Sequence, residues 1–151
     1  MWQRIQTVFL AIVIVALLAS LVLPIWTIEV NGEKNVLTAF YYLKGTVYTY
    51  NPYSLTAIIA IASATLALIE ITKYKNRLTQ MKIGALNSLF LVGVVGSALY
   101  FTTQLAKAFP GVQGQYGLGL WIPFVAVICN LMANRFIRKD ERLVRDSDRL
   151  R

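Results

Sequence analysis

Four long apolar stretches, separated by short polar segments, dominate the pattern along the chain. They cover about residues 7–25, 54–72, 81–102 and 117–136. Each has roughly the 20 residues that an α-helix needs to cross a hydrocarbon core. Backbone polar groups in lipid must be paired within the segment itself, so four such stretches predict four helices. We therefore predict an all-α membrane protein, a four-transmembrane-helix bundle that forms a single domain over residues 1–151.

The first long polar segment, residues 27–53, has the pattern of β-strands rather than of a helix. Thr27–Val30 alternates in polarity, and Asn31-Gly32, a strong two-residue hairpin signal, follows it. Residues 36–43 and 45–50 are rich in β-branched and aromatic side chains, with Gly45 between them. The segment predicts a small antiparallel hairpin or sheet that turns at Asn31-Gly32. Residues 104–116, in contrast, contain Pro and Gly and predict a loop between the third and fourth helices.

The segment of residues 27–53 is rich in aromatic residues. Trp26 immediately precedes it, and Tyr41, Tyr42, Tyr48 and Tyr50 lie within it. Trp and Tyr favour the headgroup level of a bilayer, which predicts an interfacial position. The same four tyrosines are candidates for a docking surface, because Tyr is enriched in protein interfaces. Both interpretations stay open at this point.

Positive charge is concentrated on one side of the predicted helices. Twelve of the 15 Lys and Arg residues lie on one side of the helices: before the first, in or beside the link between the second and third, or at and after the end of the fourth. Only Lys34, Lys44 and Lys107 lie on the other side. The positive-inside rule makes the rich side cytoplasmic, so both termini are predicted inside and the β-rich loop outside. The net charge of +8 then serves orientation, and we expect no nucleic-acid partner.

The tail, residues 137–151, predicts a short cytoplasmic helix. Phe136, Leu143 and Leu150 recur every seven residues with Val144 beside them, and Glu141 and Arg145 form a favourable i,i+4 pair. Two interpretations remain: a solvated stub that carries the stop-transfer charges, or a helix that docks on a cytoplasmic protein. The docking hypothesis adds a set of candidate contacts, namely Phe136, Leu143, Val144, Leu150, Arg138, Arg142 and Arg145.

No pattern of catalytic, cofactor-binding or metal-ligating residues emerges. The sequence has no His, and no two carboxylates lie within the predicted spans. It also has no glycine-rich phosphate motif. We therefore expect a protein that is not an enzyme and has no cofactor. The single cysteine, Cys129, lies inside the fourth span, where a small packing role is expected.

Glu70, near the inner end of the second span, is the one candidate for chemistry in the membrane. An ionisable residue in a span suggests a proton or ion relay. Pairing with Lys73 or snorkelling to the boundary explains it more simply. Asn87, Asn130 and Asn134 predict hydrogen bonds between helices, and small residues four apart predict close helix contacts within the bundle.

The two ends of the chain carry a resemblance. Residues 1–7 (MWQRIQT) and the closing KDERLVRDSDRLR resemble an uncharacterised family of short four-helix membrane proteins of Bacteroidota, known only as a domain of unknown function. The resemblance implies a bacterial inner-membrane location and supplies no activity. The layout of four spans with an outer β-loop is also similar to that of claudins, but the outer loop lacks their cysteine pair.

These observations predict a non-enzymatic inner-membrane protein, an accessory or scaffolding subunit of a larger membrane complex. Its contacts would be membrane lipids and a protein partner, through the cytoplasmic tail and the outer loop. The alternative is a small transporter, channel or lipid-handling protein that uses the bundle interior. No small-molecule substrate is indicated.

Overall fold

The described part of the chain folds into four helices and one small sheet. The structure, a computed structural model, describes residues 2–30, 32–74 and 76–149, with side chains over residues 5–30, 32–74 and 76–145. In chain order, the elements are α1 (Trp2–Val22), β1 (Trp26–Val30), β2 (Glu33–Leu37), β3 (Tyr42–Lys44), β4 (Val47–Thr49), α2 (Leu55–Thr72), α3 (Arg77–Lys107), β5 (Gln115–Tyr116) and α4 (Leu118–Arg149). All four helices are long and apolar enough to cross a membrane.

The helices pack in a ring, in which each helix contacts the two that adjoin it. α1 packs mainly against α4, and α2 mainly against α3; contacts between α3 and α4 and between α1 and α2 close the ring. Small side chains allow these approaches: Ala60 and Ala67 of α2 are buried, and Gly93 of α3 lies beside Ile59. The expected packing within the bundle is therefore seen at these positions.

The sheet has five antiparallel strands in the order β4-β3-β2-β1-β5. Val30 pairs with Glu33, so β1 and β2 form the predicted hairpin around positions 31 and 32. Gly32 has a φ of 81°, which suits a tight turn. Asn31 itself lies outside the described residues. We call the end of the bundle with the sheet the sheet end, and the opposite end the basic end.

Backbone hydrogen bonds tie the sheet to the beginnings of two helices. Ala57 N–H donates to the carbonyl of Ala39 (3.1 Å), and Gly119 N–H donates to that of Pro24 (3.0 Å). The first N–H groups of a helix have no partner within the helix, so these bonds satisfy α2 and α4 where each begins. The sheet is thus fixed to the bundle by main-chain contacts.

Trp26 corrects one expectation from the sequence. Its side chain is buried at 2% exposure in the apolar layer between sheet and helices, not at an exposed headgroup position. Gly114 passes so close to the indole that a Cβ there would collide with it. The loop 104–116 is corrected as well, because α3 continues to Lys107 and Gln115–Tyr116 pairs with β1. A two-residue strand has no periodicity of its own, which is why the sequence did not indicate it.

The predicted tail helix is part of α4 rather than a separate element. α4 is continuous from Leu118 to Arg149. Residues 124–149 contain neither Gly nor Pro, so nothing interrupts the helix where the apolar stretch ends.

Candidate functional site

Glu70 lies in the interior of the bundle, near the end of α2. Its side chain is fully buried, and neither carboxylate oxygen has a hydrogen-bond partner among the described residues. The expected pairing with Lys73 or snorkelling is therefore wrong. The reason is the helical face: Ser63, Ala67 and Glu70 recur at spacings of four and three and all point into the bundle, whereas Lys73 is exposed.

Space for the Glu70 carboxyl comes from a glycine on the next helix. A Cβ on Gly84 would lie 2.7 Å from Glu70 Oε1 and would collide with Asn134 Oδ1. Two side chains from different helices, α2 and α4, therefore meet beside Gly84 of α3. Asn134 is 8% exposed, and its Oδ1, like the Glu70 oxygens, has no partner among the described residues. The main chain of Glu70 is held separately, by Gln80 Nε2 on its carbonyl (3.2 Å).

A connected network of hydrogen bonds continues deeper into the bundle. Ser63 Oγ donates to Asn87 Oδ1 (2.6 Å), and Asn87 Nδ2 donates to Asn130 Oδ1 (3.1 Å). Asn130 Nδ2 then donates to Ser88 Oγ (2.8 Å), while Asn134 Nδ2 donates to the carbonyl of Gly84 (3.1 Å). The interhelical role expected for the three asparagines is confirmed, and the network joins α2, α3 and α4.

The side chains of this polar interior donate and accept hydrogen bonds, and one of them carries an ionisable group. Burying an ionised carboxylate without a partner is costly, so Glu70 is best accommodated as the uncharged acid, which donates one hydrogen bond. Asn134 Oδ1 is the nearby acceptor without a partner. Within the described residues, no group of three His, Cys, Asp or Glu side chains could hold a metal ion. Cys129 is buried among apolar side chains, as its expected packing role requires.

The predicted tail contacts lie on different faces of α4. Phe136 is partly buried and stacks on Phe9 of α1, with ring centroids 5.7 Å apart. Leu143 and Val144 are exposed, at 53% and 42%. The side chains of Arg138, Arg142 and Arg145 are exposed as well. Leu150 lies outside the described residues.

An ion pair fixes α4 at the point where it leaves the bundle. Arg77, in the first turn of α3, binds Asp140 through its side-chain oxygen (Nη2–Oδ2, 3.2 Å) and its carbonyl (Nη1–O, 3.0 Å). The link joins the α2–α3 side of the bundle to α4. Leu143 and Val144 follow it within about one turn, so their position relative to the bundle is set.

The four candidate tyrosines of residues 27–53 separate into two groups. Tyr48 and Tyr50 are exposed beside the edge strand β4, and Tyr41 contacts both rings at 5.1 and 5.9 Å. Tyr42 is 6% exposed and packs on Tyr53, so its proposed place on a docking surface is wrong. Alternation along β3 turns Tyr42 towards the bundle. Its burial, with a smaller contribution from Tyr53, raises the pKa of the Tyr42 phenol.

Sequence reasoning missed the meeting of Glu70 with Asn134. A signal existed in the spacing, since Ala60, Ser63, Ala67 and Glu70 form one stripe of α2. What the sequence could not show is that Gly84 faces this stripe.

One comparison with known proteins bears on the whole chain. The model of the family described as "Domain of unknown function (DUF4293)" matches residues 2–150. No curated protein matches the chain.

Proposed function

Since the chain belongs to the family described as a domain of unknown function (DUF4293), we propose its role from its own geometry. It is a non-enzymatic integral membrane protein that serves as an accessory or scaffolding subunit of a larger membrane complex. The observation that carries the proposal is the extension of α4 beyond its anchor at Asp140, with apolar side chains left exposed.

The extension has the properties of a ready-made docking helix. Leu143 and Val144 are about half exposed, so burying the remaining surface of each in a partner would contribute roughly 0.7–1.5 kcal/mol. The helix is already formed and held by Arg77, so binding requires little further ordering. A solvated stub that only retains topology needs neither apolar side chains nor an anchor.

Charge indicates the chemistry of the partner. Arg142 and Arg145 flank the two apolar side chains and are exposed. A partner with an apolar groove edged by acidic side chains fits this surface, because opposite charges across an interface raise the association rate and favour the correct partner.

The location follows from the charge distribution. We propose insertion in a bacterial inner membrane, with both termini cytoplasmic and the sheet periplasmic, on the basis of the split of basic residues. The resemblance of the chain ends supports an origin among Bacteroidota. A fusion of alkaline phosphatase after Arg151 tests the orientation: we expect no enzyme activity, and an active fusion would reverse the topology.

The sheet offers a second, smaller contact surface. Val47, Tyr48 and Tyr50 are 54–64% exposed on and beside the edge strand β4. An edge strand presents unpaired backbone groups on which another chain can dock. Tyr41 supports this surface from behind through its ring contacts.

Purification from native membranes tests the docking role. Tagged protein in mild detergent is expected to retain one stoichiometric partner, identified by mass spectrometry. The double variant Leu143→Asp/Val144→Asp is expected to lose it while remaining folded and inserted. This variant is sharper than truncation after Lys139, which would also remove Asp140 and its contact with Arg77.

Tyr74→Asp is the matched control. Tyr74 is 51% exposed at the same end of the bundle, on the link between α2 and α3. This variant is expected to keep the partner. A wild-type protein that purifies alone, or equal loss in both variants, would contradict the proposal.

A second candidate function uses the bundle interior, as a small transporter, channel or lipid-handling protein. The observation that favours it is the fully buried Glu70 beside Asn134, with three oxygen atoms that have no partner in the described structure. Glu70→Gln separates the two candidates. If Glu70 is structural, this near-isosteric variant folds and complements a deletion strain normally; if it relays protons or ions, the variant folds but fails to complement.

A further inference from the structure

A groove of about 570 Å³ runs between α3 and α4 towards the basic end. Four basic side chains line it, Arg135, Arg138, Lys139 and Arg142, together with the apolar Ala85 and Leu131. The basic residues recur at spacings of three and four, so they form one stripe of α4. Positive charges that serve orientation alone have no need to share one face.

We propose that this groove binds the phosphate headgroup of an anionic phospholipid. The proposal rests on the membrane location proposed above, but not on the docking role of α4. Basic pockets between transmembrane helices at the cytoplasmic boundary suit such headgroups. Arginine adds paired hydrogen bonds to phosphate oxygens, beyond the attraction of its charge.

One end of the groove is lined by charged side chains and the other leads to apolar surface, which matches the charged headgroup and the apolar acyl chains of a phospholipid. Leu131 lies about 16 Å from Arg142 along the helix axis, at 1.5 Å per residue. Beyond Leu131 the exposed surface is apolar, with Ile128 on α4 and Leu89 and Val92 on α3 exposed at 55–67% together with Leu131 itself. Acyl chains would follow this surface while the phosphate stays among the arginines.

The charged side chains that line the groove are all basic. No carboxylate is among the described side chains that line it. Asp140, which follows Lys139, is held by Arg77. Ser88 and Asn134 also line the groove and supply polar atoms, and Ser88 Oγ donates to the carbonyl of Gly84 (3.0 Å).

The test measures lipid retention by native mass spectrometry of the full-length protein in detergent. Phosphatidylglycerol is compared with phosphatidylcholine of the same acyl chains. We expect at least tenfold preference for the anionic lipid. Arg138→Gln/Arg142→Gln should weaken its binding roughly 30-fold, from the usual contribution of a cation at an anionic surface.

Two further variants separate a site from general surface charge. Lys73→Gln/Lys82→Gln removes the same charge from exposed positions at the same end that do not line the groove, and should leave retention within about twofold. Ala85→Leu keeps every charge and fills the groove, and should reduce retention at least fivefold with unchanged thermal unfolding. Equal loss in the two charge variants, or normal retention in Ala85→Leu, would overturn the proposal.

Inorganic phosphate and glycerol phosphate distinguish a lipid from a soluble anion. A lipid site requires the acyl chains, so millimolar concentrations of either anion should displace little phosphatidylglycerol. Complete displacement would assign the groove to a free phosphate compound and overturn the lipid assignment. Since none of these measurements involves a protein partner, their failure is distinguishable from failure of the docking role.

Discussion

The two ends of the bundle are closed by different kinds of contact. At the sheet end, main-chain hydrogen bonds from Ala57 and Gly119 join helices to the residues that flank the strands, beside an apolar layer. At the basic end, the links between helices each use at least one side chain, such as Asn134 on the Gly84 carbonyl and Arg77 on Asp140. Among the described side chains, the buried polar atoms without a partner include only the Tyr42 hydroxyl at the sheet end, whereas those at the basic end belong to Gln6, Glu70 and Asn134.

The two kinds of contact imply that the sheet end is more rigid than the basic end. A main-chain contact can move only if a whole element moves, while the end of a long side chain can rotate at little cost. The sheet end is therefore expected to tolerate substitution poorly. The basic end, where we propose docking and lipid binding, has polar side chains that can exchange one hydrogen-bond partner for another.

The largest loss of stability is expected when the buried side chain of Trp26 is removed from the apolar layer at the sheet end. Trp26→Ala should lower the free energy of unfolding by about 3–5 kcal/mol, because it empties a large fully packed site. Trp121, at 55% exposure, is the matched control, and Trp121→Ala should cost less than about 1 kcal/mol. Unfolding by sodium dodecyl sulfate in mixed micelles, followed by circular dichroism, measures both. Similar losses would show that the sheet end is not a packed core.

A glycine at the same end tests the main-chain contacts directly. In Gly119→Ala the new Cβ would lie 2.8 Å from the Pro24 carbonyl oxygen and closer still to that of Leu23. Neither carbonyl can rotate away, so we expect a loss of about 2–3 kcal/mol. At Gly96 no neighbouring atom lies within 4 Å of the place that a Cβ would take, and Gly96→Ala should be neutral or stabilising. The same unfolding assay compares them.

A glycine-to-alanine substitution at the basic end should lower the free energy of unfolding by less than Gly119→Ala does. In Gly84→Ala the Cβ would meet the ends of the Glu70 and Asn134 side chains rather than main-chain carbonyls, and a side-chain end can shift by a change of rotamer. We expect a loss of about 1 kcal/mol, near the low end for overpacking. A loss as large as that of Gly119→Ala would show that the polar interior is as rigid as the sheet end, and would remove the contrast.

The smallest effect on stability is expected at the anchor of α4. Arg77 and Asp140 are partly exposed, so Arg77→Ala should lower the free energy of unfolding by less than about 1 kcal/mol. Its effect should be local instead, with faster amide hydrogen exchange in residues 141–149 and unchanged exchange in α1. Unchanged exchange in the α4 extension would mean that Arg77 does not hold it.

The sequence indicated the helices and the first hairpin because both have a strong local pattern. A run of about twenty apolar residues indicates a membrane-spanning helix without reference to other segments. The alternation before Asn31-Gly32 likewise indicates a strand that ends in a tight turn. Glu70 and Tyr42 were placed wrongly because their surroundings come from distant segments, Gly84 in one case and the sheet–helix layer in the other. The continuity of α4 past Phe136 was local information, visible as an absence of helix-breaking residues, and could have been used.

The pairing of β1 with β5 has a consequence for the order of assembly. β1 precedes α2 and β5 follows α3, yet Trp26 pairs with Tyr116 and Thr27 with Gln115. The two segments are far apart in the chain, so β1 can gain its second partner only after α2 and α3 have brought Gln115–Tyr116 back to the same end of the bundle. The last strand of the sheet therefore records where α3 ends, and it does so before α4 begins.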